Sequence, residues 1–319
     1  MAEVVTIGET MMIFQTTQVG NLEDFNAIQQ KIGGAESNYS IGLARLGHSV
    51  KYMSRVGGDP FGKKILKTIR AEGVDVSEVK VIESARTGLL FKEQKYHHKM
   101  NIYYYRDESA ASKMSIHDLP VDFFENVCYF HVTGITPAIS DSCRELIFSA
   151  IQFAKESGAK IIFDPNLRFK LWSKEQAFQT LNKIVELSDY ILAGEEEATF
   201  LTNEEEEQQM CKALSRGDAS KVIILKRGER PSLIFENGRI TEVPTQRVNT
   251  ILDSVGAGDA FAAGFTHGLL LNKSLVESVN FGNYLGACVI QQYGDIEGLP
   301  TLNELDELIE NKSNTDVLR

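Results

Sequence analysis

The chain has 319 residues, 43% hydrophobic and 24% charged, the balance of an ordinary globular protein rather than a disordered one. Its formal charge of −11 repels phosphodiester backbones and argues against a nucleic-acid partner, although a local basic pocket can still hold a small anion. No segment approaches the roughly 18 apolar residues of a membrane span. The start "MAEVVTIGET" lacks the basic and apolar regions of a secretory leader, so a cytoplasmic protein is expected.

In chain order, "VVTIG" (4–8) reads as a buried strand, and "AESNYSIGLARLG" (35–47) as a helix closed by Gly47. "VKYMSRVG" (50–57) is strand-like, and "PFGKKILKTIRAEG" (60–73) is a helix opened by Pro60 and closed by Gly73. "VCYFHVTG" (127–134) is a strand, "SCRELIFSAIQFAKESG" (142–158) an amphipathic helix and "KIIFDPN" (160–166) a strand. Next come a helix at 174–188, a strand "DYILAG" (189–194), a strand "KVIILKRG" (221–228) and a helical stretch from Gly256 to about Gln292 in two pieces. Cys128, Cys143, Cys211 and Cys288 are scattered, with no C-x-x-C pair, and read as small buried hydrophobes.

This alternation predicts an α/β fold: a mostly parallel sheet covered on both faces, with ligands gathering at one rim of the strands. Two segments break the rhythm. Residues 10–32 and 86–106 are strand-like with no helix between them, and "TGLLFKEQ" and "NIYYYRDE" read as a hairpin around "KYHHK". They are too short for a core of their own and are expected to form a small β lid. His97 and His98, in the hairpin turn, are read as surface residues rather than metal ligands.

The stretch "DSVGAGDAF" (253–261) carries the most specific chemistry. It fails the G-x-G-x-x-G spacing of a dinucleotide loop, and strand one carries no such fingerprint, which argues against a nicotinamide-dependent oxidoreductase. It also lacks the Lys-Ser/Thr of a Walker loop. What remains is a helix starting at about Gly256, whose free N–H groups and dipole make an anion site. Asp259 beside an anion is electrostatically unfavourable. Either it takes a proton from an attacking hydroxyl, or it only complements the helix dipole; the residues alone leave both open. Asp253 can organise a cation or the loop.

"DSVGAGDAFAAGF" resembles the C-terminal signature of the ribokinase, or PfkB, family of sugar kinases. "GGAESNYSIGLARLG" (33–47) with "VGGDPFG" (56–62) resembles its N-terminal signature, in the expected order. "FDPNLRFKLW" (163–172), "NIYYYRDESAASKM" (101–114), "HVTGIT" (131–136) and "GDIEGLPT" (294–301) look most like the family's 2-keto-3-deoxygluconate kinases. The resemblance implies a ribokinase-like three-layer α/β/α sandwich forming one kinase domain over 1–319, with the lid at about 10–32 and 86–108. It also implies ATP as donor and Mg²⁺, with a monovalent cation possible. The open edges of a β lid favour pairing with another lid, so a homodimer is expected. The implied reaction is phosphorylation of 2-keto-3-deoxygluconate to 2-keto-3-deoxy-6-phosphogluconate. A neutral-sugar kinase, like a fructokinase or ribokinase, is the alternative.

By the same resemblance, Asp259 is the base, and the N–H groups of Gly256, Ala257 and Gly258 are the anion hole, with donors worth about 3 kcal/mol each in the transition state. Gly33, Gly34 and Asn38 are expected at the sugar. Tyr104 and Arg106 fit a Tyr-x-Arg pattern for the substrate carboxylate, and Arg168 is assigned to either that carboxylate or the phosphates. Asp164 and Asn166 are expected to shape the same rim. Lys226, Gly228 and Asn283 are expected at the nucleotide, with Glu197 supporting Mg²⁺ through its waters. Three positions depart from the pattern: Gly194 stands where an N-x-x-E motif has Asn, Pro231 where a second glycine often follows, and Leu90 where the sugar-acid kinases often show Tyr.

Overall fold

The computed structural model describes residues 2–25, 27–95 and 100–313, so the expected turn at His97 and His98 lies outside the described residues. The first strands are β1 (Val4–Ile7), β2 (Met11–Thr16), β3 (Ile28–Gly33), β4 (Val50–Gly57), β5 (Val79–Ile82), β6 (Leu89–Gln94) and β7 (Met100–Tyr105). The later ones are β8 (Tyr129–Thr133), β9 (Lys160–Asp164), β10 (Tyr190–Gly194), β11 (Val222–Lys226), β12 (Ser232–Glu236) and β13 (Arg239–Val243). The helices begin with α1 (Ala35–Arg45), α2 (Pro60–Ala71), α3 (Thr136–Ile139), α4 (Asp141–Glu156) and α5 (Lys174–Leu187). They continue with α6 (Glu195–Thr202), α7 (Glu207–Ser215), α8 (Ala257–Leu270), α9 (Leu275–Val289) and α10 (Leu302–Ser313).

Nine strands form the main sheet in the order β13-β12-β11-β10-β9-β8-β1-β4-β5. The pairs from β11 to β5 are parallel, and β12 and β13 extend the edge antiparallel. The central strands are apolar runs because both their faces are buried. Val5, Ile161, Phe163, Ile191, Ile223 and Leu225 point into one core with α4, α5, α6 and α7. Val4, Ile162, Leu192 and Ile224 point into the other, with α1, α2, α8 and α9. The result is a three-layer α/β/α sandwich. Helix starts follow local chemistry: the Asp59 carboxylate accepts from the N–H groups of Phe61 and Gly62 at 3.0 and 2.8 Å, with Pro60 in the first turn of α2.

The second sheet is the lid, ordered β3-β2-β6-β7. The expected hairpin is there, β6 and β7 pairing antiparallel from Leu89–Tyr105 to Gln94–Met100. Its core is three buried residues, Met11, Ile13 and Leu90, with Ile102 and Tyr104 packed against them. So small a cluster cannot stabilise an independent domain.

Two sequence readings are corrected. Strands β5, β12 and β13 go unread in the sequence: β5 and β13 are edge strands of only four and five residues that bury little, and β12 is a short apolar run just after β11. Cys128 is exposed rather than buried, since the chain has not yet entered β8 there, whereas Cys143 and Cys211 are buried.

Candidate active site

The parallel strands end on one rim, and the lid leans over it. Between them lies a cavity of about 930 Å³, lined by residues following β1 and β9, by the end of β11, by the starts of α1 and α8, and by β6 and β7 of the lid. Strand ends at one rim of a parallel sheet are where ligands collect, and the volume suits a sugar and part of a nucleotide.

Asp259 sits in the first turn of α8, 8% exposed, and faces the cavity. Asn38 Nδ2 donates to its Oδ2 at 2.8 Å, and Asn166 Nδ2 to its Oδ1 at 3.3 Å. Burial above all, then the charges of Asp164 and Asp295, push its carboxyl up to about 7, against the Asn38 hydrogen bond and the Arg168 guanidinium. A carboxylate poised near neutrality and aligned by two amides is suited to general-base work. Asn38, expected only at the sugar, also orients the Asp259 carboxylate. The Asn38 Oδ1 is buried without a partner among the described residues, an acceptor free for a substrate hydroxyl.

Gly256 and Gly258 line the cavity at the open end of α8. The N–H of Ala257 makes a long 3.4 Å bond to the Ser254 carbonyl, and Ala257 itself is absent from the cavity wall. Gly34 joins β3 to α1, and a Cβ there would stand 2.2 Å from the Glu9 carbonyl oxygen. That close approach is what lets the start of α1 reach the cavity.

Lys226 lines this cavity beside Asp164. Its Nζ is 3.0 Å from Asp164 Oδ2. Burial alone would lower its ammonium, but Asp164, Glu197 and Asp259 outweigh that and hold it above the ordinary lysine range. It is a fixed cation in the cavity wall.

Arg106, 6% exposed, and Tyr104 stand together on the lid side, the guanidinium carbon 5.8 Å from the ring centroid. Arg106 is already paired: its Nε donates to Glu9 Oε2 at 2.7 Å, its Nη2 contacts the same oxygen, and Ser109 donates to Glu9 Oε1 at 2.6 Å. Glu9 went unread in the sequence, although it follows the first strand of a parallel sheet, a position the rim rule points to. Arg168 is exposed at the cavity wall. Leu90 faces Tyr104 across the lid ladder and presents no hydroxyl.

Other expected residues are engaged elsewhere. Asn283 is not in the cavity wall; it donates to the Pro244 carbonyl at 3.1 Å and accepts from the Ser232 hydroxyl at 3.0 Å, tying α9 to β12. Gly228, in the turn after β11, does not line the cavity either. Asp253 is 5% exposed; its Oδ1 accepts from Val255 N at 3.0 Å, so it organises the loop, and Oδ2 faces the Lys92 ammonium at 3.6 Å.

No group of three acidic, histidine or cysteine side chains converges as a ready-made metal site among the described residues. Magnesium keeps several waters and binds with phosphates, so one or two nearby carboxylates suffice. Asp164 and Glu197 line the cavity and fit that need. Glu197 is partly committed: Oε1 accepts from Leu167 N at 3.0 Å and Oε2 from Gly194 N at 2.8 Å, which closes the start of α6. The Gly194 departure thus leaves Glu197 in place, held by backbone.

The sequence model of the pfkB family carbohydrate kinases matches residues 1–302. A 2-dehydro-3-deoxygluconokinase from Bacillus subtilis is 35% identical over 95% of this chain and 94% of its own. Fructokinase-1 from Zea mays is 31% identical over 96% and 97%. Among solved structures, a PfkB protein from Polaromonas sp. JS666 superposes with a TM-score of 0.88 at 32% identity, covering 96% of this chain and 99% of that one. The sandwich and its lid are thus a ribokinase-like fold. No helix among the described residues is long and apolar enough to cross a membrane.

Proposed function

We infer the acceptor from the site, for a chain that belongs to the pfkB family of carbohydrate kinases and is an ATP-dependent sugar kinase. We propose that the acceptor is a sugar acid, 2-keto-3-deoxygluconate, and the product 2-keto-3-deoxy-6-phosphogluconate. The observation that carries this is a guanidinium in the cavity wall on the lid side, Arg106, with Tyr104 beside it. Glu9 engages its Nε and Nη2, which leaves Nη1 and the Tyr104 hydroxyl for a carboxylate. The Bacillus subtilis relative's name denotes the same sugar acid, 2-dehydro being 2-keto.

In this reading Gly33, Gly34 and Asn38 hold the sugar with its terminal hydroxyl at Asp259. The Asp259 carboxylate takes the hydroxyl proton as the oxygen bonds to the γ-phosphorus, and the bond from that phosphorus to the β-bridging oxygen breaks. The N–H groups of Gly256, Ala257 and Gly258 face the negative charge on the phosphoryl oxygens, and Lys226 and Arg168 supply positive charge. Magnesium, when bound with the nucleotide, neutralises phosphate charge, and Asp164 and Glu197 would receive its water shell. Gly228 stays assigned to the nucleotide as a backbone contact, and Asn283 as the residue fixing the α9 wall behind it. The chain acts as one kinase domain over 1–319, its lid drawn from 10–32 and 86–108.

A second reading has one observation in its favour: Glu9 already neutralises much of Arg106, as a neutral-sugar kinase would require. A panel of keto-deoxy sugar acids, fructose and ribose, run with wild-type protein and Arg106→Ala, separates the two. The sugar-acid reading expects the acid to be the best substrate and the variant's KM for it to rise about 30-fold, the loss of a charge-assisted pair. Fructose turned over best, with the variant unimpaired, overturns it.

Pairing of two chains through their lids belongs to the same proposal. The lid ends in β3 and β7, and Tyr103 and Tyr105 on β7 are 45% and 66% exposed. Sedimentation is expected to give a dimer, and Tyr105→Glu to weaken it.

A further inference from the structure

The lid brings one side chain much deeper into the body than its other tethers. Lys31 reaches the Tyr293 carbonyl at 2.6 Å and Glu297 at 3.2 Å, and Gln94 reaches the Tyr293 hydroxyl at 3.1 Å. These are partly exposed contacts that dock the lid on the loop before α10. Lys92, on β6, is 1% exposed. Its ammonium contacts Asp295 Oδ1 and stands 3.6 Å from Asp253 Oδ2.

Both acids adjoin the glycine loop. Asp253 precedes it and turns it by accepting from Val255 N at 3.0 Å. Asp295 backs it: a Cβ on Gly256 would stand 2.7 Å from the Asp295 carbonyl oxygen. The Asp295 carboxylate also abuts the sugar side, since a Cβ on Gly33 would meet its Oδ2 at 2.5 Å. One buried residue thus touches both expected substrate subsites.

We propose that Lys92 is a positioning residue for phosphoryl transfer, its lid-borne ammonium joining Asp253 to Asp295 and so holding Gly256 in the conformation that opens the anion hole. It acts through the loop and is not assigned a contact with substrate. A buried ion pair is weak evidence of stability, because desolvation offsets the attraction. A structural tie is already provided by Lys31 and Gln94. What Lys92 adds is a charge held between the two acids: two carboxylates beside a site that must accept phosphate would repel it and each other, and the ammonium both cancels one and draws the pair together. Burial would lower this ammonium, but Asp295 and Asp253 keep it protonated. The proposal rests on the phosphoryl-transfer reading of the loop, though not on which sugar is the acceptor.

The test uses full-length Lys92→Ala with whichever sugar the wild-type enzyme phosphorylates fastest, so a wrong choice of acceptor leaves it untouched. The expected result is a fall in kcat of roughly 100-fold, with the sugar KM changed less than about threefold, as for a misplaced transition-state donor. Propylammonium, which refills the space left beyond Cβ, is expected to restore kcat at least about tenfold. Propanol, of similar size but uncharged, is expected to restore none. A kcat close to wild type, or a loss that neither amine nor lowered temperature relieves while the melting temperature falls, overturns the proposal. Should Lys92→Ala not fold, Lys92→Met with Asp295→Asn removes one of the two stranded carboxylates and keeps the wild-type local net charge, but has no ammonium bridging positions 253 and 295. That folded double variant is expected to remain slow, and a wild-type kcat in it overturns the proposal equally.

Discussion

Replacing Asp259 by asparagine is expected to lower kcat by about 1,000-fold, the worth of a positioned general base, with KM for sugar and ATP little changed. Asparagine keeps the size, and with the Asn38 amide flipped to accept from its NH2 it can still bond both Asn38 and Asn166, but it cannot take the hydroxyl proton. Wild-type kcat/KM should rise with pH through about 7, because the base must be ionised and its carboxyl is pushed up to about 7. In the variant that limb should vanish. The linkage sign is also defined. A carboxyl whose folded pKa is raised contributes stability that is fully present below its unfolded value of 3.8 and is lost as pH rises through about 7. The asparagine side chain does not ionise, so the variant's melting temperature should fall less than the wild type's between about pH 5 and pH 7, inside that window. Turnover near wild type in Asp259→Asn would remove the base assignment.

Gly256→Ala is expected to lower kcat by about 100-fold while leaving Asp259 and its amides in place. The backbone at Gly256 has φ of +85°, in the left-handed region where a Cβ is strained. The added Cβ would also stand 2.7 Å from the Asp295 carbonyl oxygen, a backbone atom that cannot step aside cheaply. The loop must therefore rotate, turning its N–H groups away from the phosphoryl site. Single-turnover kinetics should place the loss in the chemical step. Unchanged kcat in a folded Gly256→Ala would mean that these N–H groups do not serve the transition state.

Much of this site was legible in the sequence because its parts are local. A helix start with glycines presents its own N–H groups within one turn, so Gly256, Gly258 and Asp259 can be read together. The Tyr104–Arg106 pattern lies on one strand and its exit. The alternation of apolar runs and helices was likewise sufficient for the parallel sheet, because a strand buried on both faces has to be apolar throughout. The short edge strands β5 and β13 are largely exposed and need not be apolar throughout, and they were missed.

The partners of the charged groups were decided by the tertiary structure. Glu9 meets Arg106 across 97 residues, Lys92 meets Asp295 across 203, and Asn38 meets Asp259 across 221. Asn283 spends its amide on Ser232 and Pro244, which nothing in its own helix foretells. Residue type and spacing determined which backbone forms an anion site and which side chains can carry charge. Only packing decided which charges are neutralised, and how far the Asp259 carboxyl is raised, since both depend on burial and on neighbours that sequence distance does not encode.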